Sequence, residues 1–211
     1  MLADCLHDSE LPATLRAGVS VTVMVVNLFY TNTDVLPYHG FGYLIPRSLP
    51  LEQNPELALG VIFDTDATPG QDSTPGTKIT VMIGGHWWNG WDEYPNEEEG
   101  LQKAKTVLKR HLGIADEPRA AKVSLQRDCI PQYHVGHEEQ MSVIHRDLER
   151  TFKGRLRVAG NSYTGVGVND CIRGARSIAE GLANRDGGTG LDSFAMGRPW
   201  SWVSPHDIKP T

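Results

Sequence analysis

The sequence predicts an α+β (mixed α/β) fold: a mostly antiparallel sheet with packing helices, followed by one strand–loop–helix unit. Three observations predict it. Before residue 96 the chain alternates valine-rich apolar runs with short connections rich in Gly, Pro, Asp and Thr. From residue 96 the apolar period lengthens from strand to helix spacing. Finally, "LRVAGNSYTGVGVNDCIRGARSIA" at 156–179 places glycines between an apolar run and a helical one.

Each element follows from its own residues. "VSVTVMVVNLF" (19–29) is packed with valine and apolar on both faces, the mark of a strand buried in a sheet. "FGYLIP" (41–46) is a short strand closed by proline, and "LALGVIFD" (57–64) and "KITVMIGG" (78–85) are two more, separated by turn-forming residues at 65–77. "NEEEGLQKAKTVLKRHLG" (96–113) carries every sign of a helix. Asn96 is an N-cap with Glu99 as its capping-box partner, acids fill the first turn, bases fill the last, and Gly113 stands at C′. Leu101, Ala104, Leu108 and Leu112 form its apolar stripe. The acids at 97–99 thereby serve the helix and not a metal. "AKVSLQ" (121–126) reads as a strand, 130–137 as an extended loop, and 138–151 as a second helix. Past Ala183 periodicity is lost, which predicts a mobile extension over 185–211, with Trp200 and Trp202 as a docking hint.

Bulk properties exclude several function classes. The 211 residues are 39% hydrophobic and 22% charged, enough for a sizeable core and unlike a disordered chain. A formal charge of −6 argues against a nucleic-acid binder, which needs surplus Lys and Arg. Cys5, Cys129 and Cys171 are too few and scattered for a disulfide framework. The N-terminus lacks a signal-peptide h-region, and the most apolar run falls short of the roughly 20 residues that a helical span requires.

The histidines yield no metal site: His134 and His137 lie three apart in a loop without the three or four convergent ligands zinc needs. There is no G-x-S-x-G, and Cys129 has no nucleophile context. The 156–179 stretch is more informative. Gly165 and Gly167 permit a tight turn and close approach of a ligand. A helix starting near Asn169 or Asp170, with an apolar face of Cys171, Ala175, Ile178 and Leu182, would aim the N–H groups of Val168 through Cys171 at that loop. Two readings stay open on spacing alone, an anion cradle or a plain connection, and Asp170 competes as a cap for the same donors. Neither G-x-G-x-x-G nor a P-loop lysine accompanies the loop.

"GNSYTGVGVNDCIRGARSIAEGL" (160–182) resembles the C-terminal flavin-contacting segment of the oxygen-dependent protoporphyrinogen oxidases, within the monoamine-oxidase-like flavoproteins. "CIPQYHVGH" (129–137) is similar to the I-P-Q-Y-x-x-G-H element that precedes it there. "VTVMVVNLFY", "GFGYLIP", "LGVIFDT" and "ITVMIGG" resemble the substrate-domain strands in the same order. The resemblance covers about residues 10–184. It implies a substrate-domain portion over 1–128, the closing strand–loop–helix of a Rossmann-like FAD-binding domain over 129–184, and a tail over 185–211. The family's G-x-G-x-x-G half and its membrane-associating domain are implied to lie outside the chain, which would correspond to a C-terminal portion.

The resemblance further implies FAD as cofactor, contacted by Asn161 and the backbone of Val166, Gly167 and Val168. Phe41, Gly42, Leu44 and Met82 are implied to line an apolar substrate slot. The implied reaction is the six-electron oxidation of protoporphyrinogen IX by molecular oxygen, with release of hydrogen peroxide. No local nucleophile is needed for it, and no catalytic residue stands out. A peripheral place on the mitochondrial inner membrane and a homodimer are implied as well. The rivals are another amine-oxidase-like flavoprotein and a non-catalytic porphyrin-binding module.

Overall fold

The computed structural model describes residues 18–195. They divide into two compact units, Ser20–Ile130 on one hand and, on the other, the residues up to Val19 together with those from Pro131 onward.

The first unit is a five-stranded sheet in the order β2-β3-β4-β1-β5, built from β1 (Ser20–Tyr30), β2 (Gly42–Leu44), β3 (Ala58–Ile62), β4 (Thr77–Gly84) and β5 (Ala120–Pro131). The pairs β1/β4, β4/β3 and β3/β2 are all antiparallel. A short helix α1 (Asp64–Ala67) follows β3, and α2 (Glu97–Leu112) packs on β1 and β4. The α+β expectation is borne out, with each strand-like run within a few residues of its strand. β5 is longer than foreseen and takes in Ile130 and Pro131.

The core lies between the sheet and α2. Met24, Val26 and Leu28 of β1 stand in register with Ile83, Val81 and Ile79 of β4, and all six are buried. Ala104, Val107, Leu108 and Leu112 of α2 close over them. Sequence periodicity found Ala104, Leu108 and Leu112 but missed Val107 and Gly100, which are also buried, while Leu101 is only half-buried. A Cβ at Gly100 would stand 2.2 Å from the Met24 sulfur, so helix and strand meet there backbone to side chain. The helix ends are as the sequence reads: the Asn96 side chain accepts from Glu99 N–H at 3.0 Å, Glu99 accepts from Asn96 N–H at 2.9 Å, and Gly113 takes a left-handed φ of 72°. The expectation that β1 is buried on both faces is only half met. Val25 and Phe29 are half-buried and Asn27 is exposed, because α2 covers one face of the sheet only.

The second unit has helices α3 (His137–Phe152), α4 (Val168–Ala183) and the single turn α5 (Asp192–Ala195). Its small core is Met141, Ile144, Leu148, Val158 and Leu191. Two expectations are corrected here. Residues 155–160 form no strand: Val158 N–H donates to the Thr189 carbonyl at 2.8 Å, and the partner segment 186–190 is itself not a strand. Nor is the chain beyond residue 184 uniformly an extension. Thr189 and Leu191 are fully buried, and the His145 ring bonds the Thr189 hydroxyl at 2.7 Å. The Asp192 carboxylate accepts from the N–H groups of Thr189 and Gly190, closing the turn. Trp200 and Trp202 lie outside the described residues.

Candidate functional site

Each unit carries one of the two candidate surfaces. In the sheet, cross-strand partners share a face. Leu44 on β2 is paired with Gly60 on β3, Gly60 with Met82 on β4, and Met82 with Val25 on β1. These four form one apolar row on the face that α2 leaves open. Leu44 is 78% exposed, and Met82 and Val25 are half-buried. Gly60 forms a notch in the row: a Cβ there would lie 2.6 Å from the Tyr43 carbonyl oxygen and 3.0 Å from a Leu44 methyl. The structure therefore brings Leu44 and Met82 together across a glycine that sequence reasoning did not single out. The one available signal was the pairing register itself, which a lone sequence does not supply.

The other two predicted slot residues have different places. Gly42 begins the next row, Gly42–Ile62–Thr80–Asn27. Its φ is 130°, and a Cβ would sit 2.1 Å from the Val61 carbonyl oxygen, so glycine is required for β2 to approach β3. Phe41, 71% exposed, leaves the rows and lines an open cavity of about 570 Å³ with His39, Gly40, Thr65, Asp66, Ala67 and Pro69.

Polar groups border both places. Asn27 Nδ2 donates to Thr80 Oγ1 at 3.0 Å, and that hydroxyl donates to Asp64 Oδ2 at 2.7 Å, so a hydrogen-bonded chain runs beside the apolar row. At the cavity, Asp66 Oδ2 accepts from Gly40 N–H at 3.0 Å and meets His39 Nδ1 at 3.0 Å. The Gly40 amide, helped by His39 and opposed by partial burial, holds the Asp66 carboxyl below its usual range. On the core side, the Tyr43 hydroxyl bonds His111 Nδ1 at 2.8 Å and ties β2 to the last turn of α2. Burial and the Arg110 charge push the His111 ring down from its ordinary value, and burial pushes the Tyr43 phenol up.

In the second unit the loop 160–167 leads into α4. The helix begins at Val168, one to two residues earlier than its sequence indicates, with Gly167 as N-cap and no side-chain cap bond. Asp170 is thus not the cap. Its side chain folds back over the loop, where a Cβ on Gly165 would lie 2.5 Å from it, and it pairs with Arg173 at 3.0 Å. The expected set of free donors is also revised. The N–H groups of Asp170 and Cys171 both bond the Gly167 carbonyl at 3.0 Å. Those of Val166, Gly167, Val168 and Asn169 donate to no carbonyl among the described residues.

Asn161 presents its carbonyl to Tyr133, and its side chain is half-buried. Val166 and Val168 are exposed at 51% and 74%. The predicted apolar face of α4 is not buried either: Leu182 and Ala175 are exposed, as is Ile172, and the helix holds no buried residue. The loop could hold an anionic oxygen: it has open backbone donors, glycines where side chains would meet Asp170, and an aspartate already paired with an arginine.

No family model matches the chain. Curated relatives do. The chain is 37% identical over 165 residues to a protoporphyrinogen oxidase of Schizosaccharomyces pombe, covering 77% of this chain and 33% of that one. It is 38% identical over 175 residues to the Homo sapiens protoporphyrinogen oxidase, covering 81% and 35%. To the coproporphyrinogen III oxidase of Bacillus subtilis it is 33% identical, covering 82% and 36%. Among solved structures it resembles one from Exiguobacterium assigned provisionally as a protoporphyrinogen oxidase, with a TM-score of 0.65, 20% identity, and 82% and 36% coverage. It also resembles reduced UDP-galactopyranose mutase, with a TM-score of 0.61, 9% identity, and 88% and 38% coverage. Those two likenesses concern the fold. The chain is homologous to protoporphyrinogen oxidases over about four fifths of its own length and spans about one third of theirs.

Proposed function

We propose that this chain serves in an FAD-dependent oxidase that converts protoporphyrinogen IX to protoporphyrin IX with molecular oxygen as acceptor. The observation that carries this reading is the open apolar row Leu44–Gly60–Met82–Val25 in a chain homologous to enzymes of that name. A tetrapyrrole is broad and apolar, and a row with a side-chain-free notch gives it a surface to lie on. Met82 suits an irregular face because its thioether adapts its shape. Phe41 would wall the slot from the adjoining cavity, and Gly42 keeps β2 seated against β3.

In the second unit, Asn161 and the backbone of Val166, Gly167 and Val168 would hold FAD, their open N–H groups facing its oxygens. Bound there, the flavin would supply the two-electron oxidation of the substrate's saturated carbons. The chain's own part is binding and orientation, which such a transfer chiefly needs. The same reading places the protein peripherally at the mitochondrial inner membrane, with homodimers as its working form. Among the described residues no helix is long and apolar enough to cross a membrane.

Two variants test the two surfaces separately. Val168 is the first helical residue, where proline is tolerated, and Gly167 before it has φ −73° and ψ 148°, which suits a following proline. Val168→Pro therefore deletes one N–H with the helix intact. We expect FAD affinity, followed by flavin fluorescence, to fall about tenfold, as for a lost bond to a charged group. Met82→Lys should abolish protoporphyrin IX binding and leave FAD binding unchanged. Unaltered affinities in both variants would overturn the proposal.

A further inference from the structure

We infer that Tyr133 and His137 are positioning residues that preset the loop 161–165 in its working shape before any cofactor arrives. The two rings stack with centroids 3.8 Å apart and planes 10° from parallel. Each ring edge is then spent on the loop's backbone. The Tyr133 hydroxyl donates to the Asn161 carbonyl at 2.6 Å, and His137 Nε2 bonds the Tyr163 carbonyl at 2.9 Å. A carbonyl only accepts, so Nε2 carries the proton and the ring's tautomer is fixed. The Gly165 amide also faces the phenol oxygen, and Asp170 and Cys171 lie close enough to affect it. Tyr133 thus touches both ends of the loop, at Asn161 and Gly165, while His137 holds its middle.

The spacing explains why these two residues act together. Tyr133 precedes α3, His137 is its first residue, and the left-handed Gly136 (φ 91°) turns the chain between them so that the rings overlap. The rest of the loop's support is partial: the Tyr163 ring packs against the core around Leu148, its N–H bonds the Gly160 carbonyl, Cys171 Sγ donates to the Gly165 carbonyl at 3.7 Å, and none of the loop's residues is fully buried. Fixing a loop beforehand removes an entropic cost from binding. The inference rests on the flavin reading of this loop for the identity of the ligand, but the clamp itself is a property of the chain alone.

The experiment reads both levels on the 211-residue chain. Hydrogen–deuterium exchange at the bonded loop amides of Tyr163 and Gly165 is measured without ligand, and FAD affinity by fluorescence titration. Tyr133→Phe keeps the stack but loses the phenol oxygen's bonds at Asn161 and Gly165, and it should speed loop exchange at least about fivefold. His137→Ala should do more, since it loses both stack and bond, and His137→Gln should recover part of the protection by donating from its amide. FAD affinity should follow the same order while exchange in Ser20–Ile130 stays unchanged. Loop exchange as slow as in the wild type would overturn the clamp. Faster exchange with wild-type FAD affinity would overturn its positioning role. A wild-type chain that binds no FAD, yet shows the exchange series, would fail the functional reading and leave the clamp standing.

Discussion

The two units solve the same problem with very different means. Ser20–Ile130 buries a continuous core between a five-stranded sheet and a capped helix, anchored by fully buried side chains such as Phe63, Ile79, Ile83 and Leu108. Among the described residues the second unit's hydrophobic core has five buried members, and α4 contributes none of them. Buried apolar area is the main source of stability, so the sheet unit should stand by itself while the second is marginal. The contrast carries a lesson about function: the proposed substrate face sits on the unit with the larger described core and the proposed flavin loop on the one with the smaller. That is why the loop needs a clamp and the row of Leu44, Gly60 and Met82 does not.

The largest test of this contrast is Leu148→Ala, which removes a fully buried side chain from the five-residue core. It should cost about 2–5 kcal/mol and abolish amide protection in α3 and at residues 189–191. Phe63→Ala should cost a similar or larger amount, about 3–5 kcal/mol, yet leave the sheet folded at a lower melting temperature. A single cooperative loss of both units in either variant would break the comparison.

A second test concerns pH. His111 lies below its ordinary value in the folded state, because burial and the neighbouring Arg110 charge disfavour its protonated form. Stability from a depressed histidine is present above the unfolded value near 6.5 and is lost as pH falls below it towards the folded value. The melting temperature of the sheet unit should therefore drop between about pH 7 and pH 5, and His111→Asn should flatten that dependence.

The smallest expected effect is at Ile172 and Leu182, 60% and 59% exposed on α4. Changing both to Gln should shift stability by no more than about 0.5 kcal/mol. It should nevertheless reduce self-association in sedimentation velocity, because exposed apolar stripes promote it. A large stability loss would show that α4 is buried after all.

Much of the sheet unit was legible because its signals are local. The capping box at Asn96 and Glu99, the C′ glycine at 113 and the valine-rich strands each state their structure within a few residues. What was hidden depended on distant partners. Gly60 gains its meaning only from Leu44 and Met82, and Gly100 only from Met24. The strand expected at 155–160 failed because a strand is defined by its neighbour, here the irregular segment around Thr189. The packed segment at 186–191 looked loose because glycines and polar residues dominate it, although Leu191 and Thr189 are buried. The motif at 130–137 was visible as a resemblance, but its use of Tyr133 and His137 as a stacked pair was not.

Gly60 also has a consequence for inherited variation. The smallest side chain there would meet the Tyr43 carbonyl at 2.6 Å, parting β2 from β3 while filling the notch beside Leu44. A missense allele at this codon would therefore strike edge strand and ligand surface in one step. Neighbouring alleles at Leu59 or Ile62, both half-buried, have room to be mild. Severity along this strand should follow the spacing of its neighbours and not the chemistry of the residue introduced.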